Sequence, residues 1–131
     1  MQATYVELRT RYNAGWTPPS TEFINEKFTK PNPPVLWARF NLAFGDEIQM
    51  DIGSELKTFR THGEIIIQLF APMDQGIIDI SSKADTVATV FRNWCGVTVT
   101  CREATIKPIG NDAFGWYQMN VIIPFKIDTL H

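Results

Sequence analysis

The sequence predicts an α+β fold: a single mixed or antiparallel β-sheet packed by two helices, closing in a long C-terminal β-hairpin. Three observations carry this expectation. Segments with the two-residue period of strands dominate the chain. Helical spacing occurs only near the start and over residues 77–94. The order runs helix, strands, helix, hairpin, without the strict alternation of a βαβ protein. At 131 residues and 44% hydrophobic, residues 1–131 are read as one domain, large enough to bury a core without a disulfide or metal staple.

The opening stretch TYVELRTRYNAGW spaces Tyr5, Leu8, Tyr12 and Trp16 by three and four residues, one face of a short amphipathic helix that Gly15 can stop. Residues 17–35 hold Pro18, Pro19, Pro31, Pro33 and Pro34. Proline donates no ladder hydrogen bond, so FINEKF between them is at best a short edge strand. LWARFNLAF alternates cleanly, with Leu36, Ala38, Phe40, Leu42 and Phe44 on one face and Trp37, Arg39, Asn41 and Ala43 on the other. GDEIQMDIGSELKTFRTHG, residues 45–63, loses that period and reads as a long loop or floppy hairpin. Its apolar residues favour a segment, residues 45–61, that is mobile in an isolated subunit and ordered by assembly. The alternative is an ordinary hairpin extension already folded in the monomer.

EIIIQLFAP is apolar on both faces and is expected to be a central strand covered on two sides. Ile77, Ile80, Ala84, Val87, Phe91 and Trp94 then recur at helical spacing, opposite Ser82, Lys83, Thr86, Thr89 and Asn93. Ile78 falls near the polar side. Gly96 is the expected stop, and Phe91 and Trp94 are expected to be buried. VTVTCREATIKPI, the loop GNDAF and the strand from Tyr117 form the hairpin, with Tyr117, Met119, Val121, Ile123, Phe125 and Ile127 facing the core. Pro124 removes a ladder donor inside that strand, which is therefore expected to be an edge or bulged strand there. Either that edge meets a neighbouring subunit, or Pro124 marks where pairing ends.

The chain carries little that reads as chemistry. Its net charge is −2 and no Lys/Arg cluster exceeds two residues, so a phosphate-gripping face is not supported. His62 and His131 are the only histidines and, with Cys95 and Cys101, do not make a zinc pattern. Cys95 and Cys101 are expected to be reduced, since nothing reads as a signal peptide or a spanning segment and the chain is expected to be made in the cytoplasm. A Cys101/His62 pair is a match that almost any chain offers. Phosphate-binding glycine loops are absent, and Asp46/Glu47 and Asp51/Glu55 read as solvated charge. Trp116 and Tyr117 point to opposite faces, so they form no base-stacking platform, and Trp116 is read as core or as an interface anchor. The expectation is a structural or interaction protein, not an enzyme, with no cofactor and no metal.

The order of its pieces resembles the tail terminator proteins of long-tailed bacteriophages. These pieces are the N-terminal helix, KPNPPVLWARF, GEIIIQLFAP with Gly76 after it, a helix carrying KADTVATVF, and the closing GWYQMNVIIPF. The resemblance implies a homo-oligomeric ring, expected to be hexameric, that caps the head-proximal end of the tail tube in the virion. Such a ring stops polymerisation of the major tail tube protein and offers a surface to a head-completion or neck protein. Duplex DNA would pass through a neutral or acidic lumen without specific binding, and no membrane is involved. The resemblance supplies no catalytic residues; it assigns ring contacts to sheet edges and loops, and contacts with neighbouring rings to the mid-chain loop. On that basis the candidate assembly residues are Ile48, Met50, Ile52, Leu56, Phe59, Trp116 and Pro124. Ile48, Met50 and Ile52 alternate as they would in a strand formed against another subunit. Another neck protein, such as a head–tail connector adaptor, is an alternative, as is, from a different class, a small enzyme with an unrecognised site or a ligand-binding module.

Overall fold

The computed structural model describes residues 2–24, 26–29, 35–49, 58–72, 76–111 and 115–130. Two helices, α1 (Gln2–Ala14) and α2 (Ile78–Phe91), accompany six strands among these residues. The strands are β1 (Ser20–Glu22), β2 (Trp37–Gln49), β3 (Thr58–Pro72), β4 (Val99–Cys101), β5 (Thr105–Asn111) and β6 (Trp116–Leu130). They form one sheet in the order β1-β2-β3-β6-β4, with β5 also paired to β6. β1 runs parallel to β2 and every other pairing is antiparallel, so the sheet is mixed, as expected.

Both helices lie on one face of this sheet. α1 buries Leu8 and Tyr12, and α2 buries Ile80, Ala84, Val87, Ala88, Val90 and Phe91. They pack against Ala38 and Phe40 of β2, Ile65, Ile67 and Leu69 of β3, and Met119, Val121, Ile123 and Phe125 of β6. Antiparallel partners share a face, so Phe40↔Ile67↔Val121 and Leu42↔Ile65↔Ile123 form apolar rows across three strands. Burying each such side chain contributes about 1.5–3 kcal/mol, and this layer is where the fold gains its stability.

Several expectations are corrected. Residues 45–49 and 58–63 are not loop: they continue β2 and β3, paired Glu47↔Thr61, Ile48↔Arg60 and Gln49↔Phe59 beyond a bulge between Phe44 and Glu47. That bulge shifts the register and hides the alternation. β3 there also pairs with β6 as far as Thr58↔Leu130, so this stretch is a built hairpin arm in the single chain. The described residues of FINEKF are in no strand; the short edge strand lies just before them at Ser20–Glu22. α2 ends at Phe91, before Trp94, because Asn93 takes a left-handed φ of 53° and its N–H donates to Arg102 O at 3.1 Å. Trp94 is accordingly half-buried, packed edge-on to Phe91 at 6.5 Å.

The hairpin partner of β6 is split in two. β4 pairs with Phe125–Ile127 and β5 with Tyr117–Ile122, and the chain bends away between them. Pro124 sits at that break. β6 is an interior strand, flanked by β3 along its whole length, so the edge reading of Pro124 is wrong. Arg102 N–H donates to Pro124 O at 2.8 Å, which turns the Pro124 carbonyl toward the β4–β5 side. In a strand a residue's N and O point the same way, so the missing proline N–H falls where the neighbouring ladder is interrupted and nothing is lost.

Candidate assembly surface

The sheet face opposite the helices has no second layer among the described residues. Its rows run Arg39↔Gln68↔Asn120, Asn41↔Ile66↔Ile122 and Ala43↔Glu64↔Pro124. Along it the amides Asn41, Gln68, Gln118 and Asn120 mix with Ile66, Ile122, Arg39 and Glu64, half-buried except for the exposed Glu64. Asn41 Nδ2 donates to Gln68 Oε1 at 3.5 Å, Arg39 Nη1 to the same oxygen at 3.4 Å, and Gln118 Nε2 to Asn120 Oδ1 at 2.8 Å. At one end stands a small aromatic cluster, Trp37 stacked on Phe70 with ring centroids 4.3 Å apart, crossed by Trp116 and covered by Phe28. A shallow groove of about 410 Å³ crosses the sheet at Ala43, Gly63, Pro124 and Arg102, where small residues leave room.

The candidate residues do not gather into one patch. Ile48 is 50% exposed on the arm, in register with Arg60 and Asp128 on the next two strands. Those two form a bidentate pair, Arg60 Nε to Asp128 Oδ1 at 2.7 Å and Nη2 to Oδ2 at 3.1 Å, and hydrogen bonding to Arg60 lowers the Asp128 carboxyl from its ordinary range. Phe59 is half-buried and, one residue from Arg60, points to the opposite face. Met50, Ile52 and Leu56 lie outside the described residues. Trp116 is only 8% exposed, held in the aromatic cluster, and is therefore no free anchor. Pro124 is half-buried at the β4–β5 break, eight positions along β6 from Trp116.

Periodicity alone did not point to a second surface. β1 covers β2 only from Trp37 to Arg39, so the β2 edge from Asn41 onward has no strand partner among the described residues. Beside this edge a groove of about 590 Å³ is lined by Gln2, Tyr5, Ile24, Leu42 and Phe44. The other edges are blunted along their length, since β1 and β4 have three residues each and β5 carries Lys107, Pro108 and a bulge before Gly110, whereas β2 has its bulge only beyond Phe44.

The perturbed buried groups serve packing. Tyr12 hydroxyl shares a hydrogen bond with Thr21 Oγ1 at 2.7 Å, and burial pushes its phenol up to about 12. Burial likewise pushes the Cys101 thiol up to about 12. Cys95 is bridged to Thr100, so Cys101, one residue on, faces the other way. Among the described residues no three His, Cys, Asp or Glu side chains stand close enough together to hold a metal ion. Nor is any described helix long and apolar enough to cross a membrane.

No family model and no curated protein matches this chain. A solved structure whose designation names no activity is similar to it at 15% identity and a TM-score of 0.66, over 95% of this chain and 92% of the other. At that identity the likeness establishes the fold: an α+β architecture, one mixed sheet with both helices on the same side.

Proposed function

We propose that the protein is a ring-forming structural subunit that caps the head-proximal end of a bacteriophage tail tube, stops tube growth and presents the surface to which the head is joined. The observation that carries this reading is the one-sided sheet. Both helices pack on one face, the other face has no second layer among the described residues, and beyond Arg39 the β2 edge has no strand partner among them and lies beside an apolar groove. A chain that folds alone and works alone usually covers or disarms such an edge. The order of sequence pieces that resembles tail terminators supports the same reading. So does the long β2–β3 arm, which reaches past the row where α1 and α2 meet the sheet.

In such a ring this face suits a DNA passage: on it Arg39 and Arg60 are paired with Glu22 and Asp128, and with a net charge of −2 the chain offers a duplex little counterion-release affinity. The test is polymerisation of the tail tube protein from the same genome, followed by electron microscopy. Added in stoichiometric amounts, this protein should shorten the tubes and leave a ring at one end of each. Tubes of unchanged length with bare ends would refute the proposal.

A further inference from the structure

Ile78 is the apolar residue that periodicity puts on the polar side of its helix, and the fold leaves it in solvent. It is 83% exposed and Ile77 beside it 54%. The pair opens α2 just after Gly76, beyond the end of β3 at Pro72. The first turn of a surface helix ordinarily carries polar residues, so two adjacent exposed isoleucines form a protruding apolar knob. The groove beside β2 is its counterpart. Tyr5, Leu42 and Phe44 line it half-buried, Ile24 stands on it 43% exposed, and Val6 of α1 is 54% exposed. Knob and groove occupy different parts of the molecule. Leu42 and Phe44 pair with Ile65 and Gly63 in the middle of β3, whereas Pro72 lies beyond the last β2–β3 pair, Trp37↔Phe70.

We infer that copies of this chain join head to tail, the Ile77–Ile78 knob of one seated in the Tyr5–Ile24–Leu42–Phe44 groove of the next. Charge supports the same pairing. The groove lies against the first turn of α1, which has no acidic residue, and Asp79 beside the knob carries an exposed carboxylate toward that positive helix end. A patch that fits a pocket elsewhere on the same molecule makes a heterologous contact, which closes into a ring when the rotation allows. The inference rests on the ring reading for closure alone. The knob is small, and a stable pairwise interface needs roughly 1,000 Å² or more. Each contact is therefore weak by itself, and the assembly gains from every subunit making two.

The test uses Cys95→Ser protein carrying either Ile78→Cys or Ile24→Cys, treated with a short bis-maleimide separately and mixed. Cys101 is 3% exposed with its thiol pushed up to about 12, so it stays silent. The inference predicts a cross-linked dimer only in the mixture, and a ladder from a chain carrying both cysteines. Ile78→Asp, at an exposed position, should leave thermal unfolding unchanged and raise the concentration for half-association roughly tenfold or more. An oligomer that neither cross-links in the mixture nor responds to Ile78→Asp overturns the inference and leaves the ring reading standing. Cross-linking of Ile78→Cys protein with itself, as strongly as in the mixture, overturns it in favour of a two-fold contact. Wild-type protein that stays monomeric at every concentration overturns both.

Discussion

Gly63→Ala tests the packing between the middle strands. A methyl group at this position would lie 2.5 Å from the Ala43 carbonyl oxygen and 2.6 Å from Phe125 Cζ. The carbonyl belongs to the β2 backbone, which cannot move without disturbing the ladder. Phe125 is 1% exposed and held edge-on against Phe44 at 5.7 Å, so its ring has little room to turn. Overpacking of this kind costs about 1–3 kcal/mol. Alanine recovers about 0.5–1 kcal/mol by restricting the unfolded chain. The net loss is then at most about 2.5 kcal/mol and centres on about 1 kcal/mol, or roughly 3–5 °C in Tm for a chain of this size. Thermal unfolding followed by circular dichroism reads it directly. Phe125→Leu, which removes the far ring atoms, should reduce the cost of the added methyl when the two are combined. A Tm above wild type for Gly63→Ala alone would refute the close approach of β2, β3 and β6 at this row.

Phe91→Ala, at a fully buried position on α2, should cost about 3–5 kcal/mol in urea denaturation; a loss below about 1 kcal/mol would mean that the helix does not face the sheet. Glu7 accepts from Thr98 N at 3.3 Å and from Thr98 Oγ1 at 3.0 Å, tying α1 to the turn before β4, and a Cβ at Gly96 would overlap its carboxylate. Glu7→Gln and Gly96→Ala should therefore each destabilise by about 1 kcal/mol and be clearly non-additive, whereas full additivity would separate the two sites. Tyr12 and Cys101 are both raised to about 12 by burial, so the unfolded chain ionises them first and stability is present below about pH 9 and is lost as pH rises toward 12. Cys101→Ala should therefore flatten the alkaline decline measurably in urea denaturation at about pH 10–11, and an unchanged decline would mean that the thiol ionises alike in the folded and unfolded chain.

Much of this architecture was legible because local pattern and burial agree. Phe40, Ile65, Ile67, Val121, Ile123 and Phe125 alternate in the sequence and lie in the core. The misread parts share a physical cause, local irregularity that erases a period. The bulge between Phe44 and Glu47 breaks the alternation, so a paired arm looked like a loop. The bend at Arg102–Ala104 split a continuous-looking strand into β4 and β5. Asn93 stopped α2 where only a glycine was sought. Pro124 inside a strand suggested an edge, yet the break in its neighbour gives the proline a place within the sheet. Trp116 could be an anchor or core by sequence; register settles it, since Pro72↔Trp116 and Trp37↔Phe70 bring the three aromatics onto one face. The β2 groove was illegible for another reason. Leu42 and Phe44 follow the core pattern, and only the three-residue length of β1 leaves them partly uncovered.

The mass of the purified protein in solution, measured alone and with tail tube subunits over a range of concentrations, tests the proposed closed assembly. A ring gives one discrete oligomer, expected to be six copies, that binds the ends of tail tubes and leaves free tube subunits alone. A monomer at every concentration, with or without tubes, would contradict it.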